Sequence, residues 1–299
     1  MDKFDTRRVT VYLLISFGFS WSIALVIYLT GGISGSPQIV PEAPITWVLP
    51  LLTLYMLGPA VGNVGTRLLT REGRHDLLLR PKFKQGWKYW LIAWLLTPLM
   101  VFAGGILYFL IFPADLSLDV LNGKGIPGMP DTAVPGGALF MLNIGTAMLI
   151  APLVNALPVL GEEFGWRGYL QPKLLPLGER KMYLLVGVIW GVWHWPVIWM
   201  GFNYPGHPLL GSLVMVWFTF IIGTFFGWAA LRAGSVWPAV IGHGALNGTA
   251  NIWLFFLTGE TNPLIGPAVP GILGGAFFTI AMILIIWKAK NGEGIELAS

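Results

Sequence analysis

Four ionisable side chains stand out inside apolar runs, Glu162, Glu163, His194 and His243, and Arg167 and Asn247 accompany them. An ionisable group inside an apolar run costs several kcal/mol by most estimates, so each needs a partner or a task. Glu162 and Glu163 are adjacent in Leu160-Gly161-Glu162-Glu163-Phe164-Gly165-Trp166-Arg167. Glu163 and Arg167 stand four apart and share a helix face, so they can form a brace. Glu162 points about 100° away and lacks that partner. It is the carboxylate placed to act as a desolvated base.

The second group is Trp190-Gly191-Val192-Trp193-His194-Trp195-Pro196. Trp190 is one helical turn before His194 and can wall its ring. Pro196 cannot donate to the Val192 carbonyl, so the helix kinks nearby. Broken backbone at membrane depth is tolerated where it lines a cavity. The third group puts His243 and Asn247 on one helix face, with Asn251 a turn further and Gly242 and Gly244 flanking His243. Those glycines admit another backbone closely. Each group also has a plainer reading: interfacial snorkelling, a packed histidine, or hydrogen bonding between helices. His75 and His207 read as solvated, and the sequon Asn247-Gly248-Thr249 lies inside an apolar run.

Together the groups supply the parts for amide hydrolysis. Glu162 and His194 would hold and deprotonate a water. His243 and Asn247 would donate to the developing oxyanion, where one preorganised donor is worth about 3–4 kcal/mol. The chain has no Cys and no convincing Ser-His-Asp set, so activated water is the natural nucleophile. Glu162, His194 and His243 are also possible Zn ligands, although no HExxH occurs. The favoured mechanism needs no cofactor.

These residues must be held by membrane helices. Of 299 residues, 55% are hydrophobic and 11% charged, with 15 Trp. The mean hydropathy is +0.71. A soluble domain carries about 25% charged residues. Eight stretches reach the roughly 20 apolar residues a span needs: 9–30, 45–66, 88–112, 137–163, 182–201, 211–231, 236–257 and 268–287. With the N-terminus inside, all Lys and Arg except Lys124 fall at or within the inner segments. That alternation predicts an all-α, polytopic bundle of about eight spans with both termini cytoplasmic. It also explains the net charge of +4 as a topology signal beside lipid rather than a nucleic-acid surface. The GxxxG pairs Gly58/Gly62, Gly223/Gly227 and Gly271/Gly275 predict close packing. Residues 1–299 read as a single membrane domain, with a short cytoplasmic tail at 288–299.

At about 1.5 Å per residue, His194 lies about 18 Å into its span and His243 about 11 Å. If the fourth helix continues to Leu170, Glu162 lies about 12 Å deep, so the three can meet at one level.

The three groups, in this order, resemble the motifs of the CPBP family, which includes type II CAAX prenyl endopeptidases, Rce1-like proteins and Abi-type relatives. Arg167-Gly168-Tyr169-Leu170 and Leu231-Arg232-Ala233-Gly234-Ser235-Val236-Trp237-Pro238 extend the resemblance, which covers about residues 140–255. It implies an eight-helix intramembrane protease with a cavity open to the cytosol. It implies Glu162 and His194 on the water, and His243 and Asn247 as the oxyanion hole. Glu163, Arg167 and Trp190 support them. Substrates would be prenylated or otherwise membrane-associated peptides, in a cell membrane or, in a eukaryote, the endoplasmic reticulum. The family's second motif usually begins with Phe; Trp190 here is expected to change pocket shape more than chemistry. A transporter with a Glu162–His194 proton relay, and a non-catalytic scaffold or immunity protein, are the competing readings.

Overall fold

The computed structural model describes residues 4–40, 45–74, 76–122 and 136–289. Lys3, His75, Lys124, Asp131 and the tail beyond Ala289 lie outside them. Among the described residues the chain is helical, with isolated bridges at Gln38–Thr46 and Leu116–Leu257 but no strand.

Helix α1 spans Thr6–Leu29 and starts where Asp5 Oδ1 accepts from the Arg8 amide at 3.0 Å. The second predicted stretch divides into α2 (Val48–Tyr55) and α3 (Gly58–Thr70), with Pro59 near the start of α3. The third divides into α4 (Phe83–Leu91) and α5 (Thr97–Ile111), joined by a π turn at Ile92–Leu96. The fourth is the most interrupted: α6 (Gly136–Leu149), α7 (Ala151–Val154), α8 (Ala156–Gly165), a π turn at Trp166–Leu170, then α9 (Gln171–Leu174). The fifth breaks at His194 into α10 (Glu179–Trp193) and α11 (Trp195–Trp199), with Pro196 just after the break. Helix α12 (Pro208–Ala233) is continuous and stops at Gly234, whose φ of 61° is left-handed. Helix α13 covers Trp237–Thr249 and α14 covers Ala276–Lys288. Both are shorter than the apolar stretches predicted there, and Asn251 and Gly271 fall outside them.

Four helical runs are long and apolar enough to cross a bilayer: Thr6–Leu29, Val48–Thr70, Phe83–Ile111 and Pro208–Ala233. Large apolar side chains such as Leu14, Leu110, Leu157, Leu213 and Trp287 point outward. An apolar exterior of this kind needs lipid around it. The broken helices lie among the continuous ones. Helix α12 packs against α10, α13, α14 and α4, and α3 packs between α1 and α8.

Small residues set these distances. A Cβ on Gly58 or Gly62 would meet Ser20 or Ser16 of α1, so this GxxxG pair does pack helices closely. Gly223 and Gly227 work differently. Their carbonyls accept from Arg167 Nη2 at 3.4 Å and Gln171 Nε2 at 2.9 Å. At the end that bears the basic loops, Glu72 pairs with Lys173 and Arg8 and accepts from the Tyr169 hydroxyl at 2.9 Å. Arg67 Nη1 meets Asp76 Oδ1 at 2.5 Å. Burial alone would raise the Asp76 carboxyl, but Arg67 and Lys173 hold it below its ordinary range.

Gly165 of α8 has no room for a Cβ because the Pro59 backbone of α3 fills that space, whereas Gly18 of α1 faces open space. Gly165→Ala is expected to cost about 1–3 kcal/mol through overpacking. Gly18→Ala is expected to leave stability within about 0.5 kcal/mol. Thermal unfolding of the two variants in detergent checks the difference.

Candidate active site

The break in the fifth helix begins the site. The His194 amide bonds to the Gly191 carbonyl at 3.1 Å instead of continuing the α-helical pattern, which frees the Trp190 carbonyl. His194 Nδ1 lies 2.8 Å from that oxygen. A carbonyl only accepts, so Nδ1 carries the proton and Nε2 is left with its lone pair. The Trp193 carbonyl is freed by the same break. It accepts from the Tyr55 hydroxyl and from Trp21 Nε1, the latter at 3.2 Å. Donors from α1 and α2 thus satisfy a carbonyl that the kink leaves open.

Glu162 and Glu163 divide as their spacing predicts. Arg167 Nη1 stands 3.0 Å from each Glu163 oxygen and bonds to Oε1. The same Oε1 lies 2.8 Å from His243 Nδ1. An ionised carboxylate only accepts, so this ring nitrogen donates. Glu163 and Arg167 are fully buried, and His243 nearly so. Phe226 stacks on the His243 ring at 5.8 Å. Gly242 and Gly244 approach the Ala93 and Pro152 carbonyls so closely that a Cβ would crowd them. The expected close backbone approach is there.

Glu162 turns the other way. Its Oε2 accepts from Trp190 Nε1 at 2.8 Å. Trp190 is the shared wall. Its ring meets His243 edge-on at 5.3 Å and lies 6.0 Å from the His194 ring. The Arg167 guanidinium sits 4.6 Å over it. Beyond the pocket shape expected of Trp in place of Phe, the indole N–H holds Glu162, a bond that Phe lacks.

Glu162, Trp190, His194, His243, Asn247 and Asn251 all line one cavity of about 280 Å³. Glu163 and Arg167 stand behind it as supports. Asn247 is exposed to the cavity, and no hydrogen bond to its side chain occurs among the described residues. His207 lies outside this lining. The sequence reading missed Leu52 and Tyr55 of α2 and Met56 just after it, which complete the wall. A lone Tyr in an apolar run just before Gly58-Pro59 was the available signal. The resemblance implies an opening toward the cytosol; the observed lining includes Phe202, Asn203, Val269 and Pro270, from connections at the ends opposite the basic loops. Among the described residues no three His, Asp or Glu side chains stand close enough to share one metal ion.

Residues 138–249 match the family described as type II CAAX prenyl endopeptidase Rce1-like. This segment is similar to that family. It contains every residue of the cluster and ends with α13. CAAX prenyl protease 2 of Methanococcus maripaludis is 25% identical over 190 residues, covering 61% of this chain. The chain spans 65% of that relative's length. The matched segment excludes α1 to α5, yet those helices supply Tyr55 and Trp21 to the site.

Trp190→Phe keeps the ring and removes the N–H. A hydrogen bond to a charged group contributes about 1.5–3 kcal/mol. Unfolding free energy is therefore expected to fall by about 1.5–3 kcal/mol with helix content unchanged. Thermal unfolding and circular dichroism of the variant in detergent test this.

Proposed function

We propose that this CPBP-family membrane protein is an intramembrane endopeptidase that hydrolyses a prenylated or other membrane-associated peptide by activated water. The observation that carries the reading is the meeting of Glu162, His194 and His243 around Trp190 at one cavity.

In this mechanism a water lies between Glu162 and His194 Nε2. Glu162 takes a proton as the water oxygen bonds to the peptide carbonyl carbon. The carbonyl oxygen becomes an oxyanion, to which Asn247 Nδ2 donates. His243 Nε2 donates as well when the ring carries both protons, and its charge is then paired with Glu163. Collapse of the tetrahedral species breaks the C–N bond, and the proton held by Glu162 passes to the leaving amine. The apolar lining from Leu52, Met215, Phe218 and Leu246 suits a hydrophobic segment. No step uses a metal.

Purified protein in detergent is expected to cleave a prenylated or hydrophobic reporter peptide, with two products resolved by mass spectrometry. Glu162→Gln and His194→Ala should abolish cleavage. Asn247→Ala should lower turnover about 10²–10³-fold, as for other oxyanion donors. Full activity in these variants would remove the assignment.

Chelator treatment is expected to leave the rate unchanged, since the donor set does not converge on one ion. Parallel assays with and without chelator, alongside elemental analysis of the active protein, check this. Loss of activity that added Zn restores would overturn the metal-free route.

A further inference from the structure

The peptide unit joining Trp193 to His194 is held at both of its polar ends. Its N–H donates to the Gly191 carbonyl at 3.1 Å. Its carbonyl would meet the Val197 amide in an unbroken helix, but that amide bonds to the His194 carbonyl at 3.2 Å. The Trp193 oxygen takes the Tyr55 hydroxyl and Trp21 Nε1 instead. A carbonyl oxygen has two lone pairs, so these two donors saturate it. The peptide plane is thereby fixed, and it carries the Cα from which the His194 ring hangs.

The Tyr55 end of this clamp is itself anchored. The Ser20 hydroxyl of α1 donates to the Tyr55 carbonyl at 2.9 Å. Gly58 leaves Ser20 the room to do so, since a Cβ there would strike its Oγ. The Tyr55 ring is buried and tilted on Trp193, with centroids 4.3 Å apart. Tyr55 lines the cavity together with Glu162 and His194, a place that would suit an acid or an oxyanion donor. Its hydroxyl is spoken for, however. A carbonyl only accepts, so the phenolic proton points to Trp193 and not to a substrate. Tyr55 and Trp21 both lie outside residues 138–249.

We propose that Tyr55 and Trp21 are positioning residues that share the Trp193 carbonyl and so aim His194 Nε2 at the water it holds with Glu162. This deepens the peptidase reading and rests on it, by giving α1 and α2 a task in the same site.

The chain has only four His, so labelling histidine with 15N gives few ring signals, and His194→Gln identifies that of His194. In the parent protein the His194 ring is expected in its Nδ1-protonated form alone. In the double variant Tyr55→Phe with Trp21→Phe, the His194 signals shift and the other tautomer is populated, while the His243 signals stay in place. Each single variant keeps one donor, so each is expected to lower kcat about 2–5-fold with KM unchanged. Losing both donors frees the plane and is expected to lower kcat at least about 100-fold, more than the product of the single effects. Trp166→Phe is the control. Its ring packs edge-on against Trp193 at 5.8 Å, but its N–H bonds to nothing among the described residues, and the rate should not change. Unchanged His194 signals in the double variant overturn the proposal, as do single effects that simply multiply or a loss confined to KM. If the double variant unfolds and loses the His243 signals too, Tyr55→Phe alone decides by the same His194 shift. Absence of cleavage by the parent protein removes the peptidase reading, whereas the ring signals test the clamp without any cleavage.

Discussion

The site depends on one buried carboxylate. Glu163 accepts from Arg167 on its own helix and from His243 on α13. An unpaired ion in a low-dielectric interior carries a penalty of several kcal/mol, and losing one partner of a buried pair typically costs about 3–5 kcal/mol. The three groups therefore fix one another. Arg167 extends the constraint to α12 through the Gly223 carbonyl and to α10 through the face of Trp190. Four helices are thus oriented around a group that never reaches the cavity. Glu162, next in sequence, is freed from that brace and meets the cavity wall.

Long and broken helical runs have separate roles. The long runs at Thr6–Leu29, Val48–Thr70, Phe83–Ile111 and Pro208–Ala233 frame the bundle, two of them with a local irregularity. Two of the candidate side chains, Glu162 and His194, sit on interrupted helices, where backbone groups are released from their usual partners. The kink at His194 releases two carbonyls. One fixes the His194 tautomer, and the other anchors Tyr55 and Trp21. In lipid such groups cannot turn to water, so protein donors or a polar cavity must meet them.

Much of this was legible in the sequence because the bilayer imposes simple rules. Apolar length marked the helical stretches, and polar residues inside them marked the cluster. The i,i+4 spacing paired Glu163 with Arg167 and put His243 and Asn247 on one face. Pro196 announced the kink. Other features depend on contacts between distant segments and leave no local pattern. The Glu163–His243 bond spans 80 residues. The Trp190 N–H bond to Glu162 follows from rotamer and packing, not from spacing. The π turns at Ile92–Leu96 and Trp166–Leu170 lie in runs that read as ordinary helix. The shortness of α14 was hidden because Gly271 and its neighbours are apolar yet form a turn packed on Gly266.

A double-mutant cycle on Glu163 and His243 tests the central constraint most directly. Unfolding free energies would be measured in mixed micelles for Glu163→Gln, His243→Gln and the pair. If one buried carboxylate orders both helices, the two positions couple by about 1–3 kcal/mol. Additive effects within about 0.5 kcal/mol would mean that the two side chains do not meet, and the shared site would lose its foundation.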